Sequence, residues 1–129
     1  VTFDEYQEAA LQTAIYPGSG TPIGLCYVAL KMNGEAGEFA EHLGKALRDD
    51  SFGEYFDHDF TGQPIEPQAV GLRDSRRDLL IKELSDVLWY LAAASRELNI
   101  SLDKVATINL EKLASRQKRG VLRGSGDDR

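Results

Sequence analysis

Two stretches of the sequence carry paired acids at the same spacing: Glu35 and Glu38 in NGEAGEFAEHLGKAL, and Glu83 and Asp86 in KELSDVLWYL. Residues three apart share one face of a helix, so each stretch presents two carboxylates side by side. On a helical wheel Val28, Met32, Phe39 and Ala46 form an apolar stripe, with Glu35 in its middle and Glu38 on its edge. Glu83 and Asp86 flank a second stripe made of Leu80, Leu84, Val87, Leu91, Ala94 and Leu98, and Tyr90 lies one turn further along the same edge. Acids that merely face water stand opposite the apolar stripe, and these do not. If the two helices pack antiparallel, four carboxylates converge on one point. They could not all stay ionised there without compensation, because their pKa values would rise steeply. A divalent cation supplies that compensation, and oxygen-only ligation suits Mg²⁺ or Mn²⁺ rather than zinc. Di-iron bundles use Glu-x-x-His on two helices, a motif that occurs nowhere in this chain. His42, four residues after Glu38 and seven after Glu35, could stand near the site without supplying that motif.

A second constellation is basic. In TINLEKLASRQKRG, Asn109, Lys112, Arg116 and Arg119 recur at i, i+3, i+7 and i+10, within about 80° of one another on the wheel. Three cations and an amide in line suit a run of phosphates, with lysine as a point charge and arginine as a bidentate fork. A basic stripe near a helix C-terminus is also favoured by the helix dipole alone. Beside a carboxylate–metal site it acquires a further meaning, since metal plus cations is what polyphosphate chemistry uses.

Four helical segments must position these residues. The first starts from a capping box, Thr2 with Glu5, and is expected to run to about Ile15. The loop YPGSGTP then gives Thr21 as N-cap and Pro22 as first helical residue of a segment reaching about Arg48. That helix crosses Gly34, Gly37 and Gly44. Each costs roughly 1 kcal/mol against alanine, so close helix approach or a catalytic neighbour is expected at them. Residues 49 to 73 lose the helical period and read as a long loop, with a short hairpin around Phe56 to Ile65. The third helix restarts near Asp74 or Ser75 and reaches Leu98. With Leu88, Trp89 and Ala92 off its main stripe it is apolar nearly all round, which predicts burial against a second subunit. The fourth takes Ser101 as N-cap and ends near Gly120, followed by the glycine-rich tail VLRGSGDDR.

Composition narrows the class. At 129 residues, 42% hydrophobic and 28% charged, the chain is expected to fold as one soluble domain spanning 1–129, with 49–73 as an insert and 120–129 as a tail. No apolar run is long enough to span a membrane and no signal peptide opens the chain. The single cysteine, Cys26, cannot pair within the chain, so a cytoplasmic location is expected. A net charge of −6 argues against nucleic-acid polymers as partners. Phe52, Tyr55, Phe56 and Phe60 give the insert exposed aromatic surface, suited to a lid over a nucleotide or to an assembly arm.

At these residues the sequence strongly resembles the MazG-like all-α nucleoside-triphosphate pyrophosphohydrolases, which carry Glu-x-x-Glu on one helix and Glu-x-x-Asp on a later one. The matching positions are Glu35, Glu38, Glu83 and Asp86, within GEAGE and KELSDVLWYLA. The family's downstream Asn…Lys…Arg pattern looks like Asn109, Lys112 and Arg116. The opening FDEYQEAALQTAIYP and the ending RGVLRGSGDDR look like those of a bacterial or phage branch. The two acidic motifs stand further apart than usual, and the segment around 50 to 70 looks inserted.

The resemblance implies an all-α bundle of four to five helices completed by dimerisation, with a long irregular insert between the acidic helices. It implies hydrolysis of an NTP or dNTP to the monophosphate and pyrophosphate, dependent on Mg²⁺ or Mn²⁺, in a homodimer or dimer of dimers that serves the nucleotide pool. On that reading Glu35, Glu38, Glu83 and Asp86 hold the metal, and Glu35 or Glu38 is the catalytic base. Asn109, Lys112, Arg116 and Arg119 meet phosphates, and Tyr90, Tyr55 or Phe56 stacks on the base. Two other readings fit the same residues: a non-enzymatic helical dimerisation module with an acidic docking edge, and a phosphoribosyl-nucleotide pyrophosphohydrolase of the same superfamily.

Overall fold

The capping box at the start of the chain forms. In the computed structural model, which describes residues 1–127, the Thr2 hydroxyl accepts from the Glu5 amide at 3.1 Å and the Glu5 carboxylate accepts from the Thr2 amide at 2.7 Å. Helix α1, Phe3–Ala10, is shorter than expected and gives way to a 3₁₀ turn at Leu11–Thr13. A distant residue sets that end. The indole N–H of Trp89 donates to the Ala10 carbonyl at 3.2 Å and to the Thr13 hydroxyl oxygen at 3.0 Å, while that hydroxyl donates to the Ala10 carbonyl at 2.7 Å. Pro17 then bars Tyr16 from helical geometry.

Helix α2 is Pro22–Asp49, α3 is Asp74–Glu97 and α4 is Leu102–Lys118. Between α2 and α3 lies an antiparallel hairpin, β1 at Tyr55–His58 and β2 at Pro64–Ala69, wider than the Phe56–Ile65 hairpin expected. Tyr55 pairs with Ala69 and His58 with Pro64, with an irregularity between Phe56 and His58. The fold is mostly helical, as expected, and the insert is ordered rather than wholly irregular. The last two residues of the expected tail, 128 and 129, lie outside the described residues.

The chain divides into two compact units, each with its own packing. One comprises Val1–Ala29 and the chain from Trp89 onward. Here Gln7 of α1 bridges two elements: its amide donates to the Ala92 carbonyl at 3.1 Å, and its carbonyl oxygen accepts from the Leu102 amide at 2.9 Å. Asp4 accepts from the Asp103 amide at 3.0 Å, so α1 satisfies N–H groups that the start of α4 leaves open. Ser101 caps α4 as expected, and Asn99 takes the left-handed conformation that turns the chain from α3 into α4. Glu97 ties down the 16–20 loop: it accepts from the Tyr16 hydroxyl and from the Gly20 amide at 2.9 Å. The Tyr16 hydroxyl, ahead of the Gly20 amide, Ser19 and Arg96, holds the Glu97 carboxyl below the usual range. Tyr16 stacks on Tyr27, and Trp89 meets Tyr16 and Tyr90 edge-on.

The other unit is Leu30–Leu88, holding the later part of α2, the hairpin and the earlier part of α3. Half-buried Asp50 receives Arg76 at 3.0 Å and Arg73 at 3.4 Å, fixing the end of α2 to the start of α3. At the hairpin tip Asp59 accepts from the Thr61 hydroxyl and from the amides of Thr61 and Gln63. The Thr61 hydroxyl, first among these, lowers the Asp59 pKa.

Two expectations change. A Cβ placed on Gly34, Gly37 or Gly44 meets no atom within 4 Å, so close helix approach within the chain does not explain these glycines. Gly44→Ala is therefore expected to raise stability by about 0.5–1 kcal/mol, read as a higher midpoint in urea unfolding. The third helix also turns differently from the sequence stripe. Leu80, Ala92 and Ala93 are buried, whereas Leu84, Leu91 and Leu98 are 54%, 39% and 61% exposed. The indole N–H of Trp89, a residue expected near a second subunit, donates within its own chain, and the ring stays half-buried.

Candidate metal centre

Glu35 and Glu38 lie one turn apart on α2, and Glu83 lies on α3. One carboxylate oxygen from each falls within 4.8 Å of the other two, forming a three-oxygen cluster. Their exposure is graded: Glu83 is buried at 8%, Glu35 is half-buried and Glu38 is exposed. Of the two sequence pairs, the structure thus brings together both members of the first and one of the second. Asp86 is exposed one turn after Glu83 and is not among the three.

Little within the unit offsets this charge. Lys31 stands 3.7 Å from Glu35 through an i,i+4 contact, with its ammonium half exposed. The Nε2 atom of His42 is 3.4 Å from an oxygen of Glu83. Sequence spacing pointed to His42 but not to Lys31, whose i,i+4 offset from Glu35 was the available signal. Three convergent carboxylates, unmatched by an equal number of cations, form a hard-oxygen donor set that fits a divalent cation such as Mg²⁺ or Mn²⁺. No histidine or cysteine joins the cluster among the described residues, which disfavours zinc.

The basic residues stand on α4, in the other unit. Asn109 is exposed and Arg119 donates to the Ser115 hydroxyl at 3.3 Å. Arg116 is only 6% exposed. One of its terminal nitrogens donates to the carbonyls of Gly126 at 3.2 Å and Asp127 at 2.8 Å, and it lies 3.3 Å from the Asp127 carboxylate. The Lys112 ammonium donates to the same carboxylate at 3.2 Å. Two rungs of the expected phosphate ladder are therefore held by the chain's own tail. The sequence reading missed this because Asp127 lies beyond the helix, in a glycine-rich segment without periodicity.

Lys112, ahead of Arg116, holds the Asp127 carboxyl below the usual aspartate range. A carboxyl depressed in the folded chain stabilises the docked tail above its unfolded pKa. That contribution is lost as pH falls through the lower, folded value. The tail is thus expected to stay docked through neutral and mildly acidic pH and to loosen only below the ordinary aspartate range, whereas Asp127→Asn loosens it at neutral pH. Protease cleavage within 121–127, followed by mass spectrometry, reads both.

Of the aromatics suggested for base stacking, Tyr90 packs edge-on against Trp89, while Tyr55 and Phe56 lie on β1 with Tyr55 largely exposed. Phe60, in the connection between the strands, is fully exposed. No helix among the described residues is long and apolar enough to cross a membrane.

A helical chain in which Glu-x-x-Glu and a glutamate from a later helix gather three carboxylates belongs to a recognisable class. The MazG nucleotide pyrophosphohydrolase domain matches residues 27–121, and the chain is a member of that family. It is also 42% identical over 129 residues to the Gene 37 protein of Mycobacterium phage L5, covering 98% of this chain and 97% of that protein. No solved structure gives a significant match.

Proposed function

We propose that the protein hydrolyses a nucleoside triphosphate, ribo or deoxy, to the monophosphate and pyrophosphate in a Mg²⁺-dependent reaction that serves the cytoplasmic nucleotide pool. The observation that carries this reading is the three-carboxylate cluster of Glu35, Glu38 and Glu83 in a chain of the MazG family. These residues hold the cation, and Asp86, exposed one turn after Glu83, is the fourth candidate ligand. When bound, the cation supplies an acidified water and neutralises phosphate charge.

Glu35 or Glu38 takes a proton from the attacking water. The water oxygen bonds to the α-phosphorus while the bond from that phosphorus to the bridging oxygen breaks. The electron pair leaves with pyrophosphate. Lys112, Asn109 and Arg119 receive phosphate charge and hold the chain of phosphates in line. Lys112 and Arg116 are both released for this role only when Asp127 withdraws. The aromatic hairpin, through Tyr55 or Phe56, stacks on the base.

The exposed row Ile81, Leu84, Leu91 and Leu98 on α3 favours a second copy of the chain as its cover, in a homodimer or a pair of dimers. Light scattering at micromolar concentration is expected to exceed 14.3 kDa; a monomer contradicts the assembly. Activity is tested by pyrophosphate release across the NTPs and dNTPs with Mg²⁺, and again with EDTA. Release from at least one triphosphate, abolished by EDTA, is expected. Silence across the panel, with turnover of phosphoribosyl nucleotides instead, overturns the substrate class.

A further inference from the structure

Glu83 is the least accessible carboxylate of the cluster, and a buried carboxylate needs donors. Among the described residues, the polar group set against it apart from its cluster companions is the imidazole of His42, with Nε2 at 3.4 Å from one Glu83 oxygen. His42 lies one turn beyond Glu38 and two beyond Glu35, so α2 presents all three side chains on one face. The ring is mostly buried, with its side chain 19% exposed.

Its second nitrogen sharpens the point. Nδ1 is buried with no hydrogen-bond partner among the described residues. A histidine kept for packing alone would gain by exchange for an apolar ring, since a buried unpaired nitrogen is costly. Here Nε2, facing Glu83, is the nitrogen with a polar neighbour. The tautomer carrying its proton on Nε2 turns an N–H toward the carboxylate, whereas the other sets a lone pair against it.

We propose that His42 is a positioning residue of the cation centre: its Nε2–H steadies one oxygen of Glu83, leaving the other oxygen to the cation. This rests on the reading of Glu35, Glu38 and Glu83 as cation ligands. Groups that hydrogen-bond metal-ligating side chains fix their orientation, and losing one costs about 10–100-fold in metal affinity.

The test is titration of the full chain with Mn²⁺ alone, followed by electron paramagnetic resonance, with thermal melts of every variant. His42→Gln keeps an N–H near the Nε2 position, whereas His42→Asn places its amide near Nδ1 and cannot reach Glu83. His42→Asn and His42→Phe are expected to bind Mn²⁺ about 10–100-fold more weakly, and His42→Gln within a few-fold of wild type. In turnover, the Mg²⁺ concentration at half-maximal rate is expected to rise for His42→Asn, with kcat at saturating Mg²⁺ unchanged. Wild-type affinity in His42→Asn overturns the proposal, as does equal weakening of the Gln and Asn variants with unaltered melting. Failure of the wild type itself to bind Mn²⁺ overturns the cation centre and the role of His42 with it.

Discussion

Glu83→Gln is expected to reduce turnover by at least about 10²–10³-fold while leaving the fold intact. Glu83 is the most buried oxygen donor of the cluster and the one contributed by the second helix. A neutral amide there removes a charge that the cation needs. The same change relieves like-charge crowding among three carboxylates within 4.8 Å of one another. The metal-free melting temperature should therefore hold or rise. Glu38→Gln and Asp86→Asn are expected to follow the same pattern, Asp86→Asn testing a ligand that stands outside the three. Pyrophosphate release beside calorimetry in EDTA separates the two effects. Full activity in the Glu38 and Glu83 variants would sink the catalytic assignment.

The largest effect expected away from the cluster is at Gly24. A Cβ there would lie 2.4 Å from the Gly18 carbonyl oxygen and 3.0 Å from the Ser19 Cα, both backbone atoms with no rotamer to yield. Gly18 itself has φ of 71°, a conformation that side chains rarely accept. The second residue into α2 after Pro22 is thus packed directly on the loop before it. Gly24→Ala is expected to cost about 3 kcal/mol, lowering the melting temperature by roughly 10 °C. Gly44→Ala, on the same helix, has the opposite expected sign. Equal melting of the two variants would show that the 17–20 loop moves aside at little cost.

What could be read from the sequence was what local chemistry decides. Thr2 with Glu5 and Ser101 each mark a helix start because the donors they satisfy are within three residues, and Pro22 marks another as the first residue of α2. The i,i+3 acids were legible for the same reason: helical geometry fixes which faces they share, and the seam position of Glu35 distinguished it from a solvated acid. Distant partners explain the misses. The end of α1 depends on an indole 79 residues away. Arg116 looked like a free fork because the carbonyls that occupy it come from a turn 10 and 11 residues later. Which side of α3 its own chain covers was not legible, because Leu84 and Leu91 follow the apolar period as well as Leu80 does, and periodicity cannot say which side a neighbour covers.

The Asp127 contact has a consequence for selectivity. An oxyanion approaching Lys112 and Arg116 meets a carboxylate carried on the same chain, which rebinds at the high effective concentration of a short tether. The affinity of α4 for any anion is its intrinsic affinity multiplied by the fraction of time the tail is away. A single phosphate, with one point of attachment, competes poorly against that tethered rival, while a polyphosphate gripped at several points can outbid it. On the proposed reading of α4 as a phosphate-binding helix, the tail would act as a threshold filter that screens it from simple anions.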